Sequence, residues 1–124
     1  MPNAIRKMLG SGVPAQAATY IGGDVQSGFA AAGSTQATAT LLNFDCTEVT
    51  TVGSGAGVIA NSNNQVGDDY IVCNAQATNA LLVYPEVGSS INALSANTGF
   101  SIPAGKNALF IKLTQTKYYS ILSA

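Results

Sequence analysis

From Ser34 onward the chain is a succession of short runs in which apolar and polar residues alternate, each closed by Gly, Asn, Asp or Pro. "CTEVTTV", "GVIAN", "DDYIVCN", "NALLVYP", "NALFIKLT" and "KYYSILS" are rich in β-branched and aromatic residues. Successive side chains leave a strand on opposite sides, so a period of two marks a strand with one covered face. With "TQATATLLNF", "SSINALS" and "GFSI", these runs predict about nine short strands. Short, regularly punctuated strands predict a mainly β domain over residues 34–124, a small β-sandwich, jelly roll or barrel. "AQAT" reads as the turn of one hairpin and Gln115-Thr116 as the turn of another. No strict internal repeat is visible.

Residues 1–33 read differently, as a partly helical N-terminal arm. Pro2 suits a first helical position, and Ile5, Met8 and Leu9 share one helical face. Arg6 and Lys7 favour the C-terminal end of such a helix, and Gly10 closes it. A second helical stretch is expected over 14–32, with Ala18, Ile21, Val25 and Phe29 at helical spacing, weakened by Gly22-Gly23. Eight residues hold no helix alone in water, so the first would form only when docked. The arm therefore reads as a docking segment, with Ile5, Met8, Leu9, Ile21, Val25 and Phe29 as its apolar contacts. Arg6 and Lys7 before "MLGSGVPAQA" imitate a secretory leader, but Gly10, Ser11, Gly12 and Pro14 break the apolar core that a leader needs.

Charge sharpens this picture. Charged residues make up 9% of the 124, although 47% are hydrophobic. A typical soluble domain carries roughly 25% charge, and a free monomer keeps apart from its neighbours by that charge. The hydrophobic content excludes disorder. A folded domain covered by neighbours is the expectation. The few charges are also segregated: Asp45, Glu48, Asp68, Asp69 and Glu86 fill the middle, while Lys106, Lys112 and Lys117 fall at the end. Such asymmetry can orient a subunit against a partner. Five basic residues cannot form a stripe that tracks a phosphate backbone, so nucleic acid is not an expected partner. No segment reaches the length of a membrane span.

Motifs with chemistry fail on spacing. Gly99 and Gly105-Lys106 imitate a phosphate-binding loop, but five residues intervene rather than four, and Asn107 stands where Ser or Thr is needed. Pro103 offers no N–H to an anion. Pro103-Ala104-Gly105-Lys106 instead predicts a turn between strands, with Gly105 supplying positive φ. Gly53, Gly55 and Gly57 lack the dinucleotide-binding spacing and predict a turn. Asp68-Asp69 would point to opposite faces of an extended segment, and the alternative, a calcium site completed by Asn61, Asn63 or Asn64, lacks EF-hand spacing. There is no histidine, the commonest general base and metal ligand. No catalytic residue, cofactor or metal is expected. Cys46 and Cys73 fall in strand-like runs, as two small buried hydrophobes or a disulfide. Tyr118 and Tyr119 are adjacent in a strand, so one faces the core and the other faces out as an interface anchor.

The runs "GSTQATATLL", "EVTTVGSGAGVIAN", "VGDDYIVCNAQATNALLVYP", "INALSANTGFSIPAGKNALFI" and "KYYSIL" cover most of Gly33–Leu122. Together they resemble a family of small virion proteins of tailed phages and prophages; "KMLGSGVPAQAA" is similar but less distinctive. The resemblance implies a structural component of the capsid-decoration, or cement, type. Such a protein assembles in the host cytoplasm onto the capsid surface, bridges major capsid subunits and often forms a homotrimer. The alternative is a phage fibre, tail or host-surface adhesin whose exposed Tyr and Asn bind glycans.

Overall fold

The computed structural model describes residues 25–124. Ten strands lie among them: β1 (Val25–Ala30), β2 (Thr40–Leu41), β3 (Cys46–Thr51), β4 (Gly57–Ile59), β5 (Asp69–Asn74), β6 (Leu81–Tyr84), β7 (Ser90–Ile91), β8 (Phe100–Ile102), β9 (Asn107–Thr114) and β10 (Lys117–Leu122). They form a six-stranded sheet in the order β1-β3-β5-β9-β10-β7 and a four-stranded sheet in the order β2-β4-β6-β8. The mainly β expectation holds.

The connectivity differs from the sandwich, jelly roll or barrel expected from strand length. β1, β3 and β5 pair in parallel, and so do β2, β4 and β6. The chain therefore winds as a coil, and each of three turns places one strand in each sheet. This is solenoid-like stacking. At one end the coil is closed by reversal. β8 runs antiparallel to β6, β9 runs antiparallel to β5, and β10 folds back on β9.

Side-chain amides set the corners of the coil. Asn61 donates from Nδ2 to Asn43 Oδ1 at 3.0 Å, joining the same corner of two successive turns. Asn74 is buried at the end of β5. Its Nδ2 donates to the carbonyls of Asn79 and Ile102, and its Oδ1 accepts the Gln76 N–H. This amide satisfies a corner whose carbonyls would otherwise be buried without partners. It also explains why "AQAT" is not a hairpin. The chain leaves β5 at that corner and enters the other sheet as β6, instead of folding back beside β5.

The hairpin at Gln115-Thr116 does form, pairing β10 antiparallel with β9. So does the turn at Pro103, where Lys106 N–H reaches the Pro103 carbonyl at 3.1 Å and Gly105 has φ of 75°. "TQATATLLNF" supplies only Thr40–Leu41 as strand. Its start is a turn in which Thr38 N–H bonds the Thr35 carbonyl.

The helix expected over 14–32 is corrected where it is described: Val25–Ala30 is a strand of the six-stranded sheet. Val25 and Phe29 are four residues apart, which a helix would place on one face. Here Ser27 and Gly28 bulge, Gly28 taking φ of 69°, and the register with β3 shifts between Gln26 and Phe29. Val25 ends up 74% exposed, and Phe29 packs against the core. The bulge adds one residue to the strand alternation, so two residues four apart, which an unbroken strand would put on one face, leave opposite faces here. The shorter helix expected over 2–9, and Ile5, Arg6, Lys7, Met8, Leu9 and Ile21, lie outside the described residues.

The core lies between the sheets. Val49, Val72, Phe110 and Tyr118 meet Val58, Leu81, Val83 and Ile102, all fully buried. The Tyr70 and Phe110 rings stack at 5.0 Å, and Tyr118 and Phe100 meet them edge-on. Each such side chain contributes about 1.5–3 kcal/mol through burial.

Candidate interaction face

The six-stranded sheet has a second face, directed away from the core. In β9, Ala108, Phe110 and Lys112 are buried, so Asn107, Leu109, Ile111 and Leu113 point outward. The parity richest in Leu and Ile is the outer one, while the parity with a lysine is inside. The register then aligns the outward residues of neighbouring strands. Val25 pairs with Cys46, Cys46 with Ile71, Ile71 with Leu109 and Leu109 with Ile121. The result is an apolar row across five strands, about 19 Å at the usual strand spacing. Ile111 and Tyr119 pair in the next row, beside Asp69. Ile121 is 66% exposed and Tyr119 is 48% exposed. Scattered exposed apolar residues need no explanation, but a contiguous patch marks an interaction surface.

Of the interface residues expected from sequence, two stand on this face: Val25 in the row and Tyr119 beside it. Tyr118 is core, and Phe29 packs on the chain's own core, so neither is offered to a partner. The signal for the rest of the row was the two-sided hydrophobicity of β5 and β9. Pairing one row with the next needs the strand order, which alternation does not carry.

Charge bounds the row at opposite corners. Glu48 stands outward on β3 and is exposed. Lys117 opens β10, with Nζ above the Tyr119 ring at 5.5 Å from its centroid and donating to the Asn92 carbonyl. Neither has an ionic partner among the described residues.

The other polar clusters are engaged within the fold. Lys112 is buried, and its Nζ meets Glu86 Oε1 at 2.5 Å and the Asn64 carbonyl at 2.8 Å. Tyr118 donates its hydroxyl to the same Glu86 oxygen at 3.0 Å and accepts from Asn64 Nδ2 at 3.3 Å. This network ties β9 and β10 to the corners that hold Asn64 and Glu86. A cleft of about 70 Å³ is lined in part by Asn43, Asp45, Asn61, Asn64, Asp68 and Asp69. Asp68 accepts the Gln65 N–H and Asn61 accepts the Asn63 N–H, while Asp69 stands outward on β5. Among the described residues no three Asp, Glu or Cys side chains are grouped to hold a metal, and no helix is long and apolar enough to cross a membrane. Cys46 and Cys73 are half-buried free thiols on adjacent strands. Burial first, and the neighbouring Cys46 second, push the Cys73 thiol up.

No protein-family model matches the chain, and no curated protein does.

Proposed function

We propose that this protein is a structural subunit of a phage virion, a capsid decoration protein that bridges major capsid subunits and strengthens the shell. The observation that carries the reading is an apolar row that the other described residues leave uncovered, in a chain with 9% charged residues. Such a surface is served badly by water and well by neighbouring chains. The order of runs that resembles phage virion proteins supports the virion as the place where those neighbours are found. The described residues supply the assembling domain, and residues 1–24 are the segment for the shell, with Arg6 and Lys7 suited to acidic capsid residues. A subunit that binds only the assembled shell raises the cost of taking it apart. Symmetry then multiplies modest contacts into avidity.

The test is co-sedimentation with shells that lack the protein. The full chain should pellet with shells and raise their disruption temperature, and a variant lacking residues 1–24 should stay in the supernatant while remaining folded. If the full chain ignores shells but binds a glycan array, and Tyr119→Ala reduces that signal, the adhesin reading replaces this one.

A further inference from the structure

We infer that the outer face of the six-stranded sheet docks a partner segment that is apolar along its middle and carries a Lys or Arg on each side. This rests on the reading of the apolar row as an interface and adds the partner's chemistry; it does not depend on the shell.

The first argument is where the acids stand. Cys46 meets Ile71 in the row. Glu48 lies two residues beyond the row on β3, and Asp69 lies two residues before it on β5. Both side chains point outward and are exposed. They bracket the row from opposite sides, about 14 Å apart at the usual rise and strand spacing. The ion pair among the described residues joins Lys112 to Glu86, so Glu48 and Asp69 have no ionic partner there.

The second argument is what the nearby lysines do. Lys117 holds its ammonium above the Tyr119 ring and donates to the Asn92 carbonyl. Lys106, just before β9, donates to the Ala124 carbonyl. Neither is paired with Glu48 or Asp69, so the charge that this face leaves unanswered is negative.

The third argument is what the bracket excludes. An occupant has to cover Val25, Cys46, Ile71, Leu109 and Ile121 with apolar groups and, at its edges, take water from two carboxylates. A carboxylate stripped of water without a partner is strongly unfavourable. A purely apolar occupant fails at the acids, and an acidic one is repelled. A second copy brings the same two acids, with its lysines already engaged. A segment with flanking Lys or Arg answers both: their stems cover the rim of the row while their charged heads reach Glu48 and Asp69. Complementarity of this kind fixes orientation and makes binding weaken as salt rises.

Three labelled synthetic peptides of equal length test this, one of leucine and lysine, one of leucine and glutamate, and one of serine and lysine. Each is titrated with the full chain and followed by fluorescence anisotropy. The leucine–lysine peptide should bind about tenfold or more tighter than either of the others. Ile71→Lys should weaken it about tenfold or more. Glu48→Gln and Asp69→Asn should each weaken it about threefold, and they keep the test meaningful if Ile71→Lys does not fold. Equal binding of either control peptide, no binding of any, or no effect of the two neutralising variants overturns the proposal. Self-association that Ile71→Lys abolishes would assign the face to a second copy, and tighter peptide binding by a variant lacking residues 1–24 would assign it to the chain's own segment; either overturns the proposal as well. Peptide selectivity without shell binding leaves this inference standing and removes the decoration reading. Shell binding without peptide selectivity does the reverse.

Discussion

The two faces of the six-stranded sheet are built from the same five strands and nearly the same amino acids, yet they differ in what covers them. The inner face carries Phe110, Val72, Val49 and Tyr118, fully buried against the four-stranded sheet. The outer face carries Ile71, Leu109, Ile121 and Tyr119, with no second layer among the described residues. The inner face even contains a lysine, while the outer row contains none. Hydropathy therefore does not tell inside from outside here; packing does. The lesson is energetic. An inner side chain has its full stabilising effect in the single chain, whereas an outer one has its effect only when a neighbour arrives.

Paired truncations break or confirm that contrast most sharply. Phe110→Ala should destabilise the isolated chain by about 4 kcal/mol, because it removes a ring stacked on Tyr70 and opens a cavity. Ile121→Ala, outward on the neighbouring strand, should change it by less than about 0.5 kcal/mol. Chemical denaturation of both at low concentration is the measurement. Equal losses would mean that the outer row is already packed within one chain.

The buried lysine sharpens the comparison next. Glu86→Ala leaves the Lys112 ammonium without its carboxylate in the core and should cost about 3 kcal/mol. Replacing both, as Lys112→Met with Glu86→Leu, should recover most of that loss. If the double variant is no better than Glu86→Ala in the same denaturation experiment, the hydrogen bonds from Asn64 and Tyr118 matter more than the charge pair.

The smallest effect concerns Tyr70, whose hydroxyl is buried with no hydrogen-bond partner among the described residues. Burial first, then Tyr118 and Glu86, push its phenol well above the ordinary range; Tyr118 is also raised, chiefly by burial. Raised folded-state values mean that the folded chain keeps protons the unfolded chain releases. Stability from these groups is thus intact below about pH 10 and lost as pH rises above it. Tyr70→Phe should gain about 1 kcal/mol by removing the unsatisfied hydroxyl, and its alkaline loss should be shallower than the parent's in thermal melts across that range. A steeper loss in the variant would contradict this assignment.

Much of the local structure could be read from residues alone. The period-two runs located β3, β5, β6, β9 and β10 because alternation and β-branched side chains act within a few residues. The turns at Pro103–Lys106 and Gln115-Thr116 followed from equally local chemistry. The coil was not legible. Parallel pairing of β1 with β3 and β3 with β5 joins residues far apart in sequence, and the turns of the coil share no strict repeat. β1 was hidden because a spacing of four between Val25 and Phe29 suits a helix face and a strand face alike, and the bulge at Gly28 that sends them to opposite faces is set by pairing with β3. At the interaction face Tyr119 was legible, since one of two adjacent tyrosines in a strand must point out. Ile71, Leu109 and Ile121 became a row only once strand order and register were known.

The antiparallel closure by β8, β9 and β10 gives the coil two unlike ends, and that has a consequence for stature. Duplicating one turn between β1 and β5 would add a strand to each sheet, lengthen the row by one side chain and leave the closed end untouched. The molecule would grow in steps of about 4.8 Å. How far the molecule extends is therefore set in whole increments, by counting windings rather than by stretching loops.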